Sequence, residues 1–425
     1  MVFTGEQYYN INRIMLTTIG LWPYQKQSIL HTVFFFSVFI SFILFQLTVF
    51  LTAKHDFGFI TNMLSNIFPS IGYFLFYNCY YFNIKKVSKI RGFICTIFSH
   101  NARISYFRER RGFTKQGFFE WQVKQLLEQI EADWNTVDDS ELKILQKYAI
   151  KSRLISLILV SMVIFGMSLL IIIEMLPIIL DVVVPMNESR PRKIKVMFEM
   201  FLDQQQYFYI YLIHEIVVVM ASFSTVVAIG TLLFAILRHC CATYKIASTL
   251  IGSLVTKHTL EIPSKQRTRE MCRRITRAVC LHRKTIQFIK FLLNIVNKWF
   301  FVIMGIAVLS LSCNLLRFLT AVIVLKELSE AIICGGMVFA HFVILFLANF
   351  IGQTIIDHST EMFMNTYNTA WYLAPLPIQK LLLFVMQNTL KTNTLMIGGI
   401  FIASLEGFST VINVKYINNV TKLVS

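Results

Sequence analysis

The side chains best suited to chemistry are spread too thinly along this chain to perform any. Nine histidines never fall within four residues of one another, so no helical turn brings two imidazoles together, and H-E-x-x-H is absent. Eight cysteines (Cys79, Cys95, Cys240, Cys241, Cys272, Cys280, Cys313, Cys334) contain no C-x-x-C pair, which argues against a zinc knuckle or a disulfide framework. There is no G-x-x-x-x-G-K-[ST] phosphate loop and no G-x-S-x-G elbow. The chain is therefore not expected to be an enzyme, and no metal or cofactor is expected. What recurs instead is aromatic and small residues at helical spacing. Ser70, Tyr73, Phe74 and Tyr77 stand at i, i+3, i+4 and i+7; Met162, Phe165, Gly166 and Leu169 share a face, as do Tyr207, Tyr211 and His214; Met337 and His341 lie one turn apart beside Cys334. Such faces suit either a cavity for an apolar guest or ordinary packing between helices.

The elements that carry these faces are membrane helices. The 425 residues are 56% apolar and only 15% charged, where a soluble domain carries about 25% charge. Seven stretches of about 20 or more residues are poor enough in charge to span a bilayer: 29–52, 57–84, 154–180, 197–237, 291–325, 331–356 and 392–420. The fold class expected is an all-α membrane bundle of seven spans. Residues 1–28 lack the continuous apolar core of a cleavable signal, so the first span should act as its own insertion signal. Nucleic acid is not expected as a partner despite the net charge of +17. That excess suits cytoplasmic loops facing anionic lipid. With the N-terminus inside, 30 of the 40 Lys and Arg fall on the cytoplasmic side and nine outside, with Lys298 in a span. The same orientation places the sequon Asn187-Glu188-Ser189 outside, where Asn187 is a glycosylation candidate.

Below the membrane, apolar Met271, Ile275, Ala278, Val279, Ile286 and Ile289 alternate with Arg267, Arg269, Arg273, Arg274, Arg277, Arg283 and Lys284, a helical stripe starting from Ser264 as N-cap. It continues without a breaker into the fifth span. Together with the downward extensions of spans three and four, it predicts a packed helical layer inside the cell. The basic face is either solvated beside lipid or a partner surface. In the final span, Gly398, Gly399, Ser404, Glu406, Asn413 and Lys415 suit a helix that lines water, with the twin glycines allowing close approach; burial among neighbours is the other reading. Glu215 and Lys298 should lie at similar depth and are expected to pair.

The stretches TYNTAWYLAPLPIQKLLLFVMQN and LMIGGIFIASLEGFSTVINVKY, and Gly20-Leu21-Trp22-Pro23 before the first span, resemble the insect odorant receptor family. The matching positions are Tyr367, Trp371, Tyr372, Pro375 or Pro377, Gln379, Lys380, Leu382, Met386, Leu395, Gly398, Ser404, Leu405, Glu406, Phe408 and Tyr416. The resemblance implies seven spans with the N-terminus inside, and a tetrameric ligand-gated cation channel working with coreceptor subunits in the plasma membrane of a sensory dendrite. It implies a small apolar odorant held in the outer half of the bundle, between spans two, three, four and six, by the aromatic faces above. It divides the chain into a cytoplasmic segment 1–28, a ligand-binding bundle 29–356, a cytoplasmic anchor 357–391 and a pore helix with external tail 392–425. Ile417 follows Tyr416 where the family often has Ser, and Asn419 and Leu423 stand where the coreceptor places aliphatic gate residues. With Tyr416, these two lie along one helical edge and form the expected pore line. A G-protein-coupled receptor is the alternative seven-span class; it needs the opposite orientation, and D-R-Y and N-P-x-x-Y are absent. A secondary transporter would show matching broken helices in two halves, and none are evident.

Overall fold

The computed structural model of the protein describes residues 5–25, 29–52, 57–98, 122–185, 190, 192 and 194–413. In chain order the elements are α1 (Glu6–Thr18), α2 (Ile29–Thr52), α3 (Phe57–Phe98), α4 (Gln122–Thr136), α5 (Asp139–Val183), α6 (Phe208–Gly252), α7 (Lys257–Glu261), α8 (Ser264–Thr320), α9 (Leu328–Asn368), α10 (Leu376–Thr389), β1 (Met396–Ile397), β2 (Phe401–Ile402) and α11 (Leu405–Asn413). Six of these, α2, α3, α5, α6, α8 and α9, contain stretches long and apolar enough to cross a bilayer, which makes this a multi-span membrane protein. The expected seventh span is described only as far as Asn413. Asn187, Tyr416, Asn419, Leu423 and the Lys298 side chain lie outside the described residues.

Helix length explains the two-layer shape. A bilayer core is crossed by about 20 residues, yet α5 and α6 each have 45, α9 has 41 and α8 has 57. At about 1.5 Å per residue, α8 is roughly 85 Å long, so most of its basic half stands clear of any membrane. We call that end of the bundle the basic end. Central to the whole is α6, which packs against α1, α2, α3, α5, α8 and α9. At the basic end it is buried nearly all round, from Thr231 and Leu232 to Ser248 and Ile251. Buried polar groups there must be satisfied, and most are. The Asn12 amide donates to Thr231 at 2.9 Å, the Thr243 and Thr285 hydroxyls meet at 2.9 Å, and Asn365 donates to Ser248 at 2.6 Å.

Charge pairs complete this layer. His239 and Lys284 both reach Asp133 of α4, while Arg277 of α8 bonds Glu141 in the first turn of α5. Burial pushes the Asp133 carboxyl up, but hydrogen bonds and charge from His239 and Lys284 more than offset this and hold it below the usual range. Glu141 also accepts the Asp138 N–H at 3.2 Å, so Glu141, with Asp138, caps α5. A second apolar core joins Met271, Ile275 and Ala278 of α8 to Ile378, Leu382 and Val385 of α10.

Three sequence expectations are corrected. Ser264 is the first residue of α8 rather than its cap; the cap is Pro263, whose carbonyl accepts the Arg267 N–H at 2.9 Å. The fourth span does not begin at 197. Residues 194–207 form an irregular strap, fastened by the Glu199 N–H to the Phe45 carbonyl at 2.9 Å, and α6 starts at Phe208. Apolar Met197, Phe198, Met200, Phe201 and Leu202 made the segment from 197 read as helix, though Phe198 and Met200 serve its packing against the bundle. The stretch 392–420 is not one helix either. Met396–Ile397 pairs with Phe401–Ile402, and Gly398 (φ 65°) and Gly399 (φ 75°) turn the chain between them. Two successive positive φ angles are what a tight hairpin turn requires and what glycine supplies without strain. The twin glycines therefore make a turn, and α11 starts only at Leu405.

Candidate ligand cavity

A cavity of about 1050 Å³ opens among α2, α3, α5, α6, α8, α9 and the hairpin. Its wall is overwhelmingly apolar, with Phe76, Met162, Val219, Phe223, Phe300, Met304, Phe339 and Ile344 on different helices. Small residues create the space: a Cβ added at Gly166, Gly230, Gly305 or Gly336 would meet nothing within 4 Å. The volume suits one small organic molecule in a site with few polar groups.

Of the faces read from sequence, the structure brings Ser70, Tyr73, Met162, Phe165, Gly166, Leu169 and Met337 to this wall. The others point elsewhere. Phe74 and Tyr77 sit on the side of α3 that faces α2, where Tyr77 stacks on Phe35 at 5.3 Å and Phe74 meets Phe36 edge-on at 5.8 Å. Tyr211 fastens the strap: its hydroxyl accepts the Met200 N–H at 3.1 Å and lies 2.8 Å from Glu199 Oε1. Tyr207 caps the start of α6 at the far end. His214 shares a hydrogen bond with Ser41 at 3.1 Å among Phe42, Phe45 and Phe198. The His341 Nδ1–H is spent on the Met337 carbonyl at 2.7 Å. Helical periodicity groups residues by face but does not say which neighbour each one meets, and Tyr207 lies before the first turn of α6.

Several wall residues escaped the sequence reading. Gln46 of α2 borders the cavity, as do Ser222 and Thr231 of α6 and Asn314 and Arg317 of α8. Arg317 is the clearest signal overlooked, since it counts as an external charge in the topology sum. It lies inside α8, its side chain 8% exposed, 2.6 Å from Glu330 at the start of α9. Its guanidinium also donates to Ser65 at 3.2 Å and to Asn66 at 3.4 Å. Glu215 has Glu174 of α5 as its charged neighbour, and Glu174 accepts the Lys195 N–H of the strap at 3.1 Å. Leu395, Ile397, Phe401, Ala403 and Phe408 add the hairpin and the start of α11 to the wall. The hairpin lies hard against α9, where a Cβ at Gly352 would come within 2.2 Å of the Ala403 carbonyl oxygen. Asn297 accepts the Gly398 N–H, Asn349 accepts the Ser404 N–H at 3.1 Å, and α11 follows directly.

A bundle of membrane-crossing helices around an apolar, aromatic-lined cavity defines a membrane protein with room for a small apolar molecule. Residues 117–416 match the model of the 7tm Odorant receptor family, and the chain belongs to that family. The fold agrees with solved structures of the insect olfactory receptor OR5 from Machilis hrabei. One, in complex with eugenol, has a TM-score of 0.67 at 11% identity, covering 98% of both chains. Another has a TM-score of 0.68 at 12% identity and covers 99% of this chain and 98% of that one. Comparison with curated proteins by sequence gives no match.

Proposed function

We propose that this odorant receptor binds a small apolar odorant in the 1050 Å³ cavity and gates a non-selective cation pore built around its final helix. The observation that carries this reading is that the hairpin leading into α11 is itself part of the cavity wall. A guest that fills the cavity presses on Ile397, Phe401 and Phe408, and so on the segment that positions α11. Ligand affinity that differs between two hairpin positions is sufficient to shift a gate. Asn187 as glycan acceptor, and Tyr416, Asn419 and Leu423 as the pore line, complete the reading with the N-terminus inside at the plasma membrane of a sensory dendrite.

Assembly as a tetramer with coreceptor subunits is supported by the outer face of α10. Leu376, Leu383, Phe384 and Leu390 are 54–71% exposed there, outside the six helices long and apolar enough to cross a membrane. Apolar patches of this kind mark protein interfaces. The test is to record currents from cells expressing the chain with and without a coreceptor against an odorant panel, in wild type and Asn419→Asp. Odorant-evoked current, with divalent block strengthened in the variant, is the expected result. Odorant responses that survive removal of all permeant cations, through a second messenger, would overturn it.

A further inference from the structure

Among the described residues five hydroxyls line the cavity, and three are already engaged within their own helices. Ser65 donates to the Asn62 carbonyl at 2.7 Å, Ser70 to that of Asn66 at 2.8 Å and Thr231 to that of Val227 at 2.7 Å. Tyr73 and Ser222 hydrogen-bond to no described residue. Ser222 is only 4% exposed, and an unmade hydrogen bond at such a site is costly. The two stand on facing helices, α3 and α6, and the Tyr73 ring packs on Phe223, the residue after Ser222, with centroids 6.2 Å apart. Gln46, on the same wall, is also without a partner, but its amide has no accessible surface to offer a guest.

The charge on the wall points the same way. Among the described wall residues Arg317 alone is ionic, and Glu330, Ser65 and Asn66 absorb its donors. Nothing there offsets the cost of dehydrating an ionised guest, which is large in an apolar cavity. We propose that the ligand is a neutral apolar molecule with one oxygen function, held by the Tyr73 and Ser222 hydroxyls. A ketone, aldehyde or ester carbonyl accepts from both hydroxyls through its two lone pairs. An alcohol accepts from one and donates to the other. A hydrocarbon leaves both unmade, while a carboxylate or an ammonium brings an uncompensated charge.

This inference rests on the cavity being the ligand site, and the experiment separates the two. Full-length protein in nanodiscs is titrated with 2-octanone, 1-octanol, n-octane, octanoate and octylammonium, reading the shift in melting temperature. The ketone and alcohol should half-saturate at least tenfold below the other three. Tyr73→Phe should raise their half-saturation about three- to tenfold without moving that of octane, the size of one net hydrogen bond. Tyr73→Phe with Ser222→Ala should bring them level with octane. Gly230→Phe, which fills open space on the wall, should abolish every shift while leaving the ligand-free melting temperature within a few degrees. If the oxygen preference is missing, or survives the double variant while Gly230→Phe still blocks binding, the hydroxyl anchor is wrong and the cavity stands. If Gly230→Phe leaves binding intact, or no probe shifts melting, both the anchor and the cavity are overturned.

Discussion

Arg317 carries a full charge at the edge of an apolar cavity, and its stability depends on one partner. Removing either half of a buried pair strands the other, at about 3–5 kcal/mol, whereas replacing both with apolar or neutral groups of similar size is often neutral. Arg317→Met should therefore cut the yield of folded protein and lower its melting temperature by several degrees, and Arg317→Met with Glu330→Gln should recover most of the loss. Additive losses would show that the pair is not the reason Arg317 is tolerated. Two titrating groups at the basic end contribute to the response to acid. His282 is buried beside Tyr244, its Nε2 without a partner, and burial holds its pKa below the ordinary 6.5. As pH falls through about 6.5 the unfolded chain takes up a proton that the folded chain refuses, so stability should begin to fall there. Asp133, held low by His239 and Lys284 against its burial, contributes stability that is complete above the ordinary carboxylate range. That contribution is lost only as pH falls below about 4. Melting temperature against pH should show two declines, with His282→Gln shrinking the upper, to which buried His358 also contributes, and Asp133→Asn shrinking the lower.

Elements were legible in proportion to their hydropathy. Uninterrupted apolar runs placed α2 almost to the residue, and spans two and six fell within α3 and α9. The basic stripe from 264 onward correctly joined the fifth span as one helix, because nothing in it breaks 3.6-residue periodicity. Periodicity failed where tertiary packing sets the conformation. The strap 194–207 is apolar because it covers the bundle, and the hairpin is apolar because it walls the cavity. For the site the limit is sharper, since a face such as Ser70–Tyr77 splits between two neighbours: Tyr73 turns to the cavity and Tyr77 to α2. The hairpin also supplies the prediction at this scale. A methyl at Gly352 cannot fit against the Ala403 carbonyl, so Gly352→Ala should move the hairpin off α9 and cost about 1–3 kcal/mol. Because the hairpin feeds α11, ligand-independent current should change as well. An unaltered basal current in a well-expressed variant would disconnect the hairpin from the gate.

For the whole molecule, the two layers divide the work. The membrane layer is loosely filled around one large cavity, while the basic end is densely packed and laced with ion pairs. The assembly proposed through α10 belongs to the second. Phe384→Lys with Leu390→Lys should leave the melting temperature within a few degrees, since both side chains are already exposed, yet shift native-gel mobility from oligomer to monomer. An unchanged oligomer would put the interface elsewhere. The glycines of the cavity have a further consequence, for descent rather than for binding. Gly166, Gly230, Gly305 and Gly336 each face empty space, and a glycine codon is one base change from alanine or valine. An alanine there subtracts volume from the cavity, its Cβ meeting no neighbour within 4 Å. Lineages can thus alter the shape of the cavity in single steps, on a scaffold whose densely packed, ion-paired layer lies some distance away at the basic end.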